Sequence, residues 1–408
     1  MAKDNSLIVG LDIGTTKICA VVGELTPEGI DIVGIGTHPS EGLRKGVVVN
    51  IESTVDSIKR AVEEAELMAG CEINAVYAGI AGGHIEGHNS HGVIAVKNRE
   101  VSQQDIDRVI DAAKAVAIPF DREVIHILPQ EYIIDDQRGI QNPLGMSGVR
   151  LEAKVHIVTG AVTSAQNIVK CCQRAGLDVC DIVLESLASA EAVLNPQERK
   201  LGVALVDFGG GTSDLAIFSG NSIRHSSVLS LGGNNLTNDI AVGLRTPVEE
   251  AEKIKQRYGC AVTAMIQKDE TIQVPSVGGG KPKVLSRHIL GEILEPRVEE
   301  VCSLLQRELL RSGYSDLVAS GLVITGGSAL LPGIADLAEQ VFNLPVRTGL
   351  PISIGGLVDV VKNPMYATGV GLVLYGANSK PKKLFRIRQN NVFNRLLDRM
   401  RKWFKDVV

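Results

Sequence analysis

The chain has 408 residues, of which 44% are hydrophobic, and its formal net charge is −5. This length exceeds what one hydrophobic core usually supports, so we expect two or more globular domains. The net negative charge argues against a protein that coats nucleic acid, and we expect no nucleic-acid partner.

The cysteines and the N-terminus predict a cytoplasmic protein. The seven cysteines include no C-x-x-C pair, so reduced thiols are expected rather than disulfides or a metal site. The opening segment MAKDNSLIVGLDIG has too short an apolar stretch for a signal peptide. The uncharged window 317–335 has the length of a membrane span, but its glycines and its Pro-Gly pair predict a strand, a turn and a helix start instead.

The first part of the chain predicts strands and then a helix. Residues 7–36 read as three strands joined by turns. A helix opened by Ser53 should end at Gly70, and the segment 75–82 has the character of a buried strand.

The block 84–158 has a mixed character that predicts an inserted subdomain. Strand signals at 91–97, 123–128 and 150–158 surround a helix opened by Ser102 and Asp105. From residue 159 onward strands and helices alternate again, which is typical of an α/β architecture with mixed sheets.

Two segments 195 residues apart have the same plan. VGLDIGTTKICAVVGE at 9–24 and ALVDFGGGTSDLAIFSG at 204–220 each read as strand, Asp-x-Gly, a turn of Gly or Thr, and a second strand. This repeat predicts two related domains that face each other across a cleft.

The paired hairpins are candidates for phosphate binding. Glycines allow close approach of the backbone, so that successive N–H groups and the threonine hydroxyls can donate to phosphate oxygens. Asp12 and Asp207 would then hold a hydrated Mg²⁺, and Lys17 would offset phosphate charge. The alternative is a pair of ordinary Asp- and Gly-containing turns. The candidate phosphate-binding residues are Gly14, Thr15, Thr16, Lys17, Gly209, Gly210, Gly211 and Thr212.

Other nucleotide fingerprints are missing from the sequence. There is no G-x-x-x-x-G-K-[ST] segment, and no G-x-G-x-x-G follows a strand. A phosphate site in this chain should therefore be of the paired-hairpin type.

Five motifs in order resemble the superfamily of actin, sugar kinases and DnaK-type chaperones. Two of them, LDIGTTK and LVDFGGGTSD, resemble its phosphate loops. The others are VLESLASAEAVL at 183–194 and NPMYATGVGLVLYG at 363–376, which are similar to its connecting helices, and VITGGSALLPGI at 323–334, which is similar to its adenosine motif. The resemblance implies an actin-like fold of two duplicated ribonuclease-H-like domains that hold ATP between them.

The same resemblance implies further site residues. Gly326, Gly327 and Ser328 fall in the adenosine motif, and AEKIKQRYG at 251–259 places Glu252 and Lys255 near the ribose or base. In members that hydrolyse ATP, a residue at the position of Glu185 orients the attacking water, with Asp207 as the second catalytic candidate. A surface or capping role for Glu185 is the alternative, and whether ATP is hydrolysed stays open.

Within this superfamily the chain is similar to the FtsA family of bacterial cell-division proteins. The similarity rests on residues 126–160, 274–282 and 293–300 and on the terminal helix. It implies a protein that binds ATP, polymerises head to tail, binds the C-terminal tail of FtsZ and holds the division ring on the cytoplasmic face of the cell membrane at the septum. It also implies that the inserted subdomain serves self-contact and recruitment of later divisome proteins.

These readings predict the following organisation. The first actin-like domain comprises 1–83 and 159–200, interrupted by the subdomain 84–158. The second comprises 201–377, with a smaller lobe at about 239–315, and is followed by a basic linker, 378–390, and an amphipathic helix, 391–408.

The last 30 residues carry a net charge of +8, whereas the preceding chain carries −13. In 391–408 the apolar residues recur at three- and four-residue steps with cations mostly opposite, which predicts a helix lying flat on an anionic membrane. The alternative is a helix docked on the protein's own core or on a partner. The membrane candidates are Phe393, Leu396, Leu397, Met400, Arg401, Trp403 and Phe404.

Alternatives of other classes are weaker. A small-molecule kinase needs a carboxylate base beyond the metal-site acids, and a chaperone needs a further domain, for which the 32 residues after Gly376 leave no room. The runner-up is a related actin-like scaffold of pilus assembly. For the acidic FtsZ tail, the helix and turn expected at 286–300 offer Arg287 and Arg297, with solvated helix arginines as the alternative.

Overall fold

The computed structural model describes residues 7–277 and 281–379. The predictions for the amphipathic helix, 391–408, and for most of the basic linker, 378–390, concern residues outside these ranges.

The strands of the described chain, in order, are β1 (Leu7–Ile13), β2 (Lys17–Thr26), β3 (Gly29–Pro39), β4 (Leu43–Arg44), β5 (Val47–Val48), β6 (Ala75–Ile80), β7 (Glu86–Ala95), β8 (Arg122–Ile134), β9 (Gln137–Ile140), β10 (Arg150–Ala161), β11 (Asp178–Leu184), β12 (Val203–Phe208), β13 (Ser213–Ser219), β14 (Ser222–Leu229), β15 (Thr271–Val274), β16 (Lys283–Ser286), β17 (Leu322–Thr325), β18 (Val346–Thr348) and β19 (Gly355–Gly356). The helices are α1 (Ile51–Ala69), α2 (Gln103–Ala113), α3 (Val162–Arg174), α4 (Glu185–Val193), α5 (Pro196–Leu201), α6 (Gly233–Leu244), α7 (Val248–Tyr258), α8 (Arg287–Arg311), α9 (Ile334–Phe342), α10 (Val358–Val361) and α11 (Ala367–Asn378). Short 3-10 turns cover Thr263–Met265, Ser315–Leu317, Gly327–Leu330 and Pro364–Tyr366.

The two large sheets share one strand order. The first runs β3-β2-β1-β6-β11, with β19 added beside β3, and the second runs β14-β13-β12-β17-β18. In the first sheet β1 pairs antiparallel with β2 and parallel with β6. In the second sheet β12 pairs in the same way with β13 and β17. This duplicated topology confirms the mixed α/β class and the repeat expected from the two hairpins.

The chain between β6 and α3 forms a separate antiparallel sheet, in the order β7-β10-β8-β9. Every second residue of β10 (Leu151, Ala153, Val155 and Ile157) is buried in a core shared with α2. Helix α2 begins with the expected capping box, in which Ser102 and Asp105 satisfy each other's backbone N–H groups.

Helix α1 begins earlier than expected from the sequence. Asn50, rather than Ser53, is its N-cap, and the Asn50 side chain accepts a hydrogen bond from the Ser53 N–H. The prediction of a helix opened by Ser53 was therefore wrong at this end, because two good capping residues lie three positions apart. The other end is as expected, since Gly70 caps it with φ 66°.

Helix α8 is continuous where a helix and a turn were expected. Pro296 lies inside it, although proline removes one backbone hydrogen bond from a helix interior. Leu290, Leu294, Val298 and Val301 are all buried on one side of the helix, and this packing supports the helix across the proline. The predicted turn in 286–300 is therefore wrong.

Helices α4 and α11 cross closely between the two large sheets. A Cβ on Gly371 of α11 would lie 1.8 Å from the carbonyl oxygen of Ala188 of α4, so only glycine allows this approach. Helix α4 packs against β12, and α11 packs against β1. The two helices thereby place residues of both halves of the chain beside the central strands.

Across 7–277 and 281–379, no helix has both the length and the apolar character needed to cross a membrane. The window 317–335 instead contains β17, a 3-10 turn and the start of α9, which confirms its expected division into strand, turn and helix start.

Candidate functional site

The two predicted hairpins make the same turn. In the β1–β2 hairpin the Gly14 N–H donates to the Lys17 carbonyl at 3.1 Å, and in the β12–β13 hairpin the Gly209 N–H donates to the Thr212 carbonyl at 3.0 Å. An aspartate is the second-last residue of each strand before a turn, Asp12 in β1 and Asp207 in β12. One buried aspartate therefore lies beside each turn.

The turns face each other and are joined by the start of α6. The Thr16 hydroxyl donates to Asn234 Oδ1 at 3.3 Å. The Gly233 and Asn234 N–H groups in turn donate to the carbonyls of Gly209 and Gly210, at 2.9 and 2.8 Å. The carbonyls of the glycine turn are thereby satisfied by the helix.

A cavity of about 410 Å³ lies between the hairpins. Its volume is within the range of small-molecule sites. Every residue predicted for nucleotide, metal or catalytic contact lines it: Asp12, Gly14, Thr15, Thr16, Lys17, Glu185, Asp207, Gly209, Gly210, Gly211, Thr212, Glu252, Lys255, Gly326, Gly327 and Ser328. The structure therefore brings together residues that are more than 300 positions apart in the chain.

Lys17 is the cation of the first hairpin. Its ammonium lies 3.2 Å from Asp12 Oδ2 and 5.4 Å from the centre of the Tyr366 ring. Burial disfavours the charged amine, but the neighbouring Asp12 carboxylate outweighs it and raises the pKa of Lys17. Lys17 therefore stays charged, held between a carboxylate and an aromatic face.

Asp207 is fixed by both crossing helices. Its Oδ2 accepts from the Ser189 hydroxyl of α4 and from the Thr368 hydroxyl of α11, the latter at 3.1 Å. Burial is the main cause that raises the pKa of Asp207. Gly326 has φ 87°, and a Cβ there would lie 2.4 Å from Asp207 Oδ1, so glycine is required beside this carboxylate.

Two further carboxylates stand close to Asp207. Asp214 is its register partner in β13, and burial raises the pKa of Asp214 to about 8. Glu185 begins α4, and burial followed by the charges of Asp12 and Asp214 raises the pKa of Glu185 well above its ordinary value. This concentration of acids favours a bound cation, which would neutralise it.

The opposite end of the cavity combines a polar network with apolar walls. Lys255 Nζ lies 2.7 Å from Glu252 Oε2 and donates to the Thr237 hydroxyl at 2.9 Å. Gln256 donates to Glu252 Oε1 at 2.9 Å. The apolar lining consists of Leu236, Leu330, Leu331, Pro332 and Met365. A flat heterocycle with a hydroxylated sugar suits this end.

The two arginines predicted for partner binding lie apart from the cavity and are ion-paired. Arg287 Nη1 lies 2.5 Å from Glu270 Oε2. Arg297 donates through Nε and Nη2 to the two oxygens of Asp239, at 2.5 and 3.2 Å, and also pairs with Glu300. Neither is a freely solvated arginine, and an acidic partner would compete with these bridges.

Several site residues were missed from the sequence. Ser189 lies four positions after Glu185, on the same helix face, so helical spacing could have found it. Thr368 lies in the second connecting-helix motif. Gly46 and Gln256 line the cavity but carry no sequence signal that distinguishes them from ordinary surface residues.

Comparison with known proteins fits this architecture. The family profile described as "Cell division protein FtsA" matches residues 204–371, and the one described as "SHS2 domain inserted in FTSA" matches residues 82–159. A cell division protein FtsA of Pseudomonas aeruginosa is 58% identical over 375 residues, covering 92% of this chain and 90% of that protein. The chain belongs to the FtsA family. FtsA of Escherichia coli K12 is 45% identical over 386 residues, covering 93% and 92% of the two chains.

Solved structures show the fold of the chain. A PilM–PilN type IV pilus biogenesis complex matches with a TM-score of 0.67 at 16% identity, covering 91% of this chain and 99% of that one. MreB5 of Spiroplasma citri bound to ADP matches with 0.56 at 16% identity and the same coverage, and a MamK double helical filament with 0.52 at 12% identity, covering 92% and 99%. The fold is actin-like, and the pilus likeness is one of fold alone.

Proposed function

We propose that the chain binds ATP with Mg²⁺ between its two hairpins and assembles into filaments that tether FtsZ to the cytoplasmic face of the cell membrane at the division septum. The carrying observation is that all the residues predicted for nucleotide contact line one cavity. The ADP-bound MreB5 has the same fold, which supports a nucleotide as the occupant.

The acids around the cavity fit a magnesium ion. Asp12 and Asp207 are both buried at its wall, and Asp214 Oδ1 has no hydrogen-bond partner within the described chain. Among residues 7–277 and 281–379 no group of three or more His, Cys, Asp or Glu could hold a metal, so phosphate and water oxygens would complete the ligand set. The ion would supply positive charge against the phosphates, while Lys17 and the turn N–H groups orient them.

Calorimetric titration of the full chain with ATP tests the nucleotide proposal. We expect binding in the presence of Mg²⁺ and at least a roughly tenfold loss of affinity for Asp207→Asn, since one metal-facing charge is removed. In EDTA, which removes Mg²⁺, the ATP affinities of the wild type and of Asp207→Asn should differ less. Asp56→Asn, on the exposed surface of α1, is the control. Absence of heat at millimolar ATP would exclude the proposal.

The membrane tether rests on the C-terminal sequence. Eight large apolar side chains recur from Val392 to Val407, each contributing about 1.5–3 kcal/mol if fully buried, and each cation near an acidic leaflet adds about 1 kcal/mol. The full chain should sediment with phosphatidylglycerol vesicles, and a form ending at Gly376 should remain in solution. Equal sedimentation of both forms would contradict the tether.

Assembly and recruitment complete the proposal. The MamK structure is a double helical filament of the same fold, which supports polymerisation, and a head-to-tail arrangement is the proposed geometry. The inserted sheet with α2 is the proposed site for self-contact and for later divisome proteins, and the smaller lobe at about 239–315 the proposed site for the FtsZ tail. Electron microscopy of the ATP-loaded chain on anionic vesicles tests for filaments.

A further inference from the structure

We propose that the tip of the β4–β5 hairpin is a cationic arm, in which Arg44 and Lys45 contact the phosphates of the bound nucleotide. This inference rests on the proposed nucleotide site and adds two residues to it.

The tip is fixed against the first phosphate turn. Gly46 lines the cavity, and its N–H donates to the Thr15 hydroxyl at 3.0 Å. On its other side, a Cβ on Gly46 would lie 3.0 Å from backbone atoms of Ala81. The hairpin tip therefore contacts the β1–β2 turn, which would hold phosphate, on one side and the residue after β6 on the other.

The charges that line the cavity leave an anion undercompensated. The lining includes the acids Asp12, Glu185, Asp207 and Glu252 but only two lysines. Both lysines also pair with acids of the cavity, Lys17 with Asp12 at 3.2 Å and Lys255 with Glu252 at 2.7 Å, which offsets part of their charge. A triphosphate, even with one magnesium ion, would therefore benefit from further cations at the rim.

Arg44 and Lys45 are cations of this kind. Both are exposed, and neither side chain has a hydrogen bond or ion pair with any residue in 7–277 or 281–379. Lys45 directly precedes Gly46, and successive Cα atoms are about 3.8 Å apart. A lysine stem of four carbons is long and flexible enough to reach the cavity mouth from that position.

The backbone at the tip favours a different residue from the one present. Lys45 has φ 51° and Gly46 has φ 76°, a left-handed pair typical of a two-residue hairpin turn. Asn, Asp or Gly suits the first of these positions, and a lysine there is strained. A residue that keeps an unfavourable conformation next to a ligand cavity suggests a role for its side chain.

Lys45→Asn separates the two effects, because it relieves the backbone and removes the charge. We expect an unchanged or higher melting temperature for the full-length variant, together with an ATP Kd raised about three- to tenfold, the loss of one charge-assisted contact. Arg44→Gln should also weaken ATP binding. Lys59→Gln, an exposed and unpaired lysine of α1 in the described chain, should change neither quantity.

Titration with adenosine distinguishes phosphate contact from a general distortion of the cavity. The adenosine affinity of Lys45→Asn should equal that of the wild type. The proposal is overturned by wild-type affinity of Lys45→Asn for ATP, or by an equal loss for ATP and adenosine. Failure of the wild type itself to bind ATP would instead refute the proposed nucleotide site.

Discussion

Gly210 and Thr16 touch across the cleft, where a Cβ on Gly210 would lie 1.9 Å from Thr16 Oγ1. The next glycine, Gly211, has the same relationship to Thr15, at 2.5 Å. The glycine triplet of the second turn therefore does more than expose backbone N–H groups to a phosphate. It lets the two hairpins approach, which sets the width of the cavity.

Gly210→Ala should force the hairpins apart. We expect a loss of about 1–3 kcal/mol in the free energy of unfolding, as for overpacked sites, together with weaker ATP binding. Urea denaturation and calorimetric titration measure the two effects.

Gly327→Ala is the matched control for that substitution. Gly327 also lines the cavity, but a Cβ there would have no atom within 4 Å. The free energy of unfolding of Gly327→Ala should stay within about 0.5 kcal/mol of the wild-type value. The added methyl group would, however, occupy ligand space and weaken ATP binding. Equal stability losses in both variants would contradict the hairpin-contact account.

The buried Asp214 should make stability depend on pH. Because burial, followed by the charge of Asp207, raises its pKa from 3.8 to about 8, the folded protein retains a proton that the unfolded chain has released. The free energy of unfolding should therefore fall as the pH rises through that interval. Urea denaturation of the metal-free protein at about pH 6 and about pH 8.5 measures this decrease.

Asp214→Asn removes this titrating group. The stability of Asp214→Asn should change less between the two pH values than that of the wild type, whereas Asp56→Asn, on the exposed face of α1, should behave like the wild type. A variant with an undiminished pH dependence would show that another group is responsible.

The cavity could be predicted from sequence because its key residues lie in short, local patterns. An Asp, a Gly-rich turn and flanking apolar strands are typical of a hairpin, and the repeat of that pattern implied a second, facing copy. The hydroxyls of Ser189 and Thr368, which hold Asp207, depend instead on how two distant helices cross. Helical spacing places Ser189 on the same face as Glu185, but its contact with Asp207 depends on tertiary packing, which no local pattern encodes.

The errors in the predicted elements have the same origin. Pro296 ordinarily marks the end of a helix, yet α8 continues through it because buried leucines and valines on both sides share one core. At the start of α1, Asn50 and Ser53 are equally good caps by type, and the hydrogen bond between them shows which is used.

The proposed FtsZ site predicts opposite effects for the two members of one ion pair. Asp239→Asn should free Arg297 from its two-nitrogen bridge and strengthen binding of an acidic FtsZ tail peptide. Arg297→Gln should weaken it. Since the pair is partly exposed, either change should cost only about 1 kcal/mol or less in stability. Fluorescence anisotropy of a labelled peptide measures the affinities, and similar losses in both variants would indicate a merely structural bridge.

Glu185 offers the test of turnover. Burial and the nearby carboxylates raise the pKa of Glu185 well above its ordinary value, and a bound cation would favour its charged form again. Glu185→Gln has the shape of the protonated acid but cannot become a carboxylate. We expect ATP affinity within about twofold of the wild type and phosphate release reduced to the level of a blank. Release at the wild-type rate would show that turnover does not need the Glu185 side chain, which would then serve only as the acidic first residue of α4.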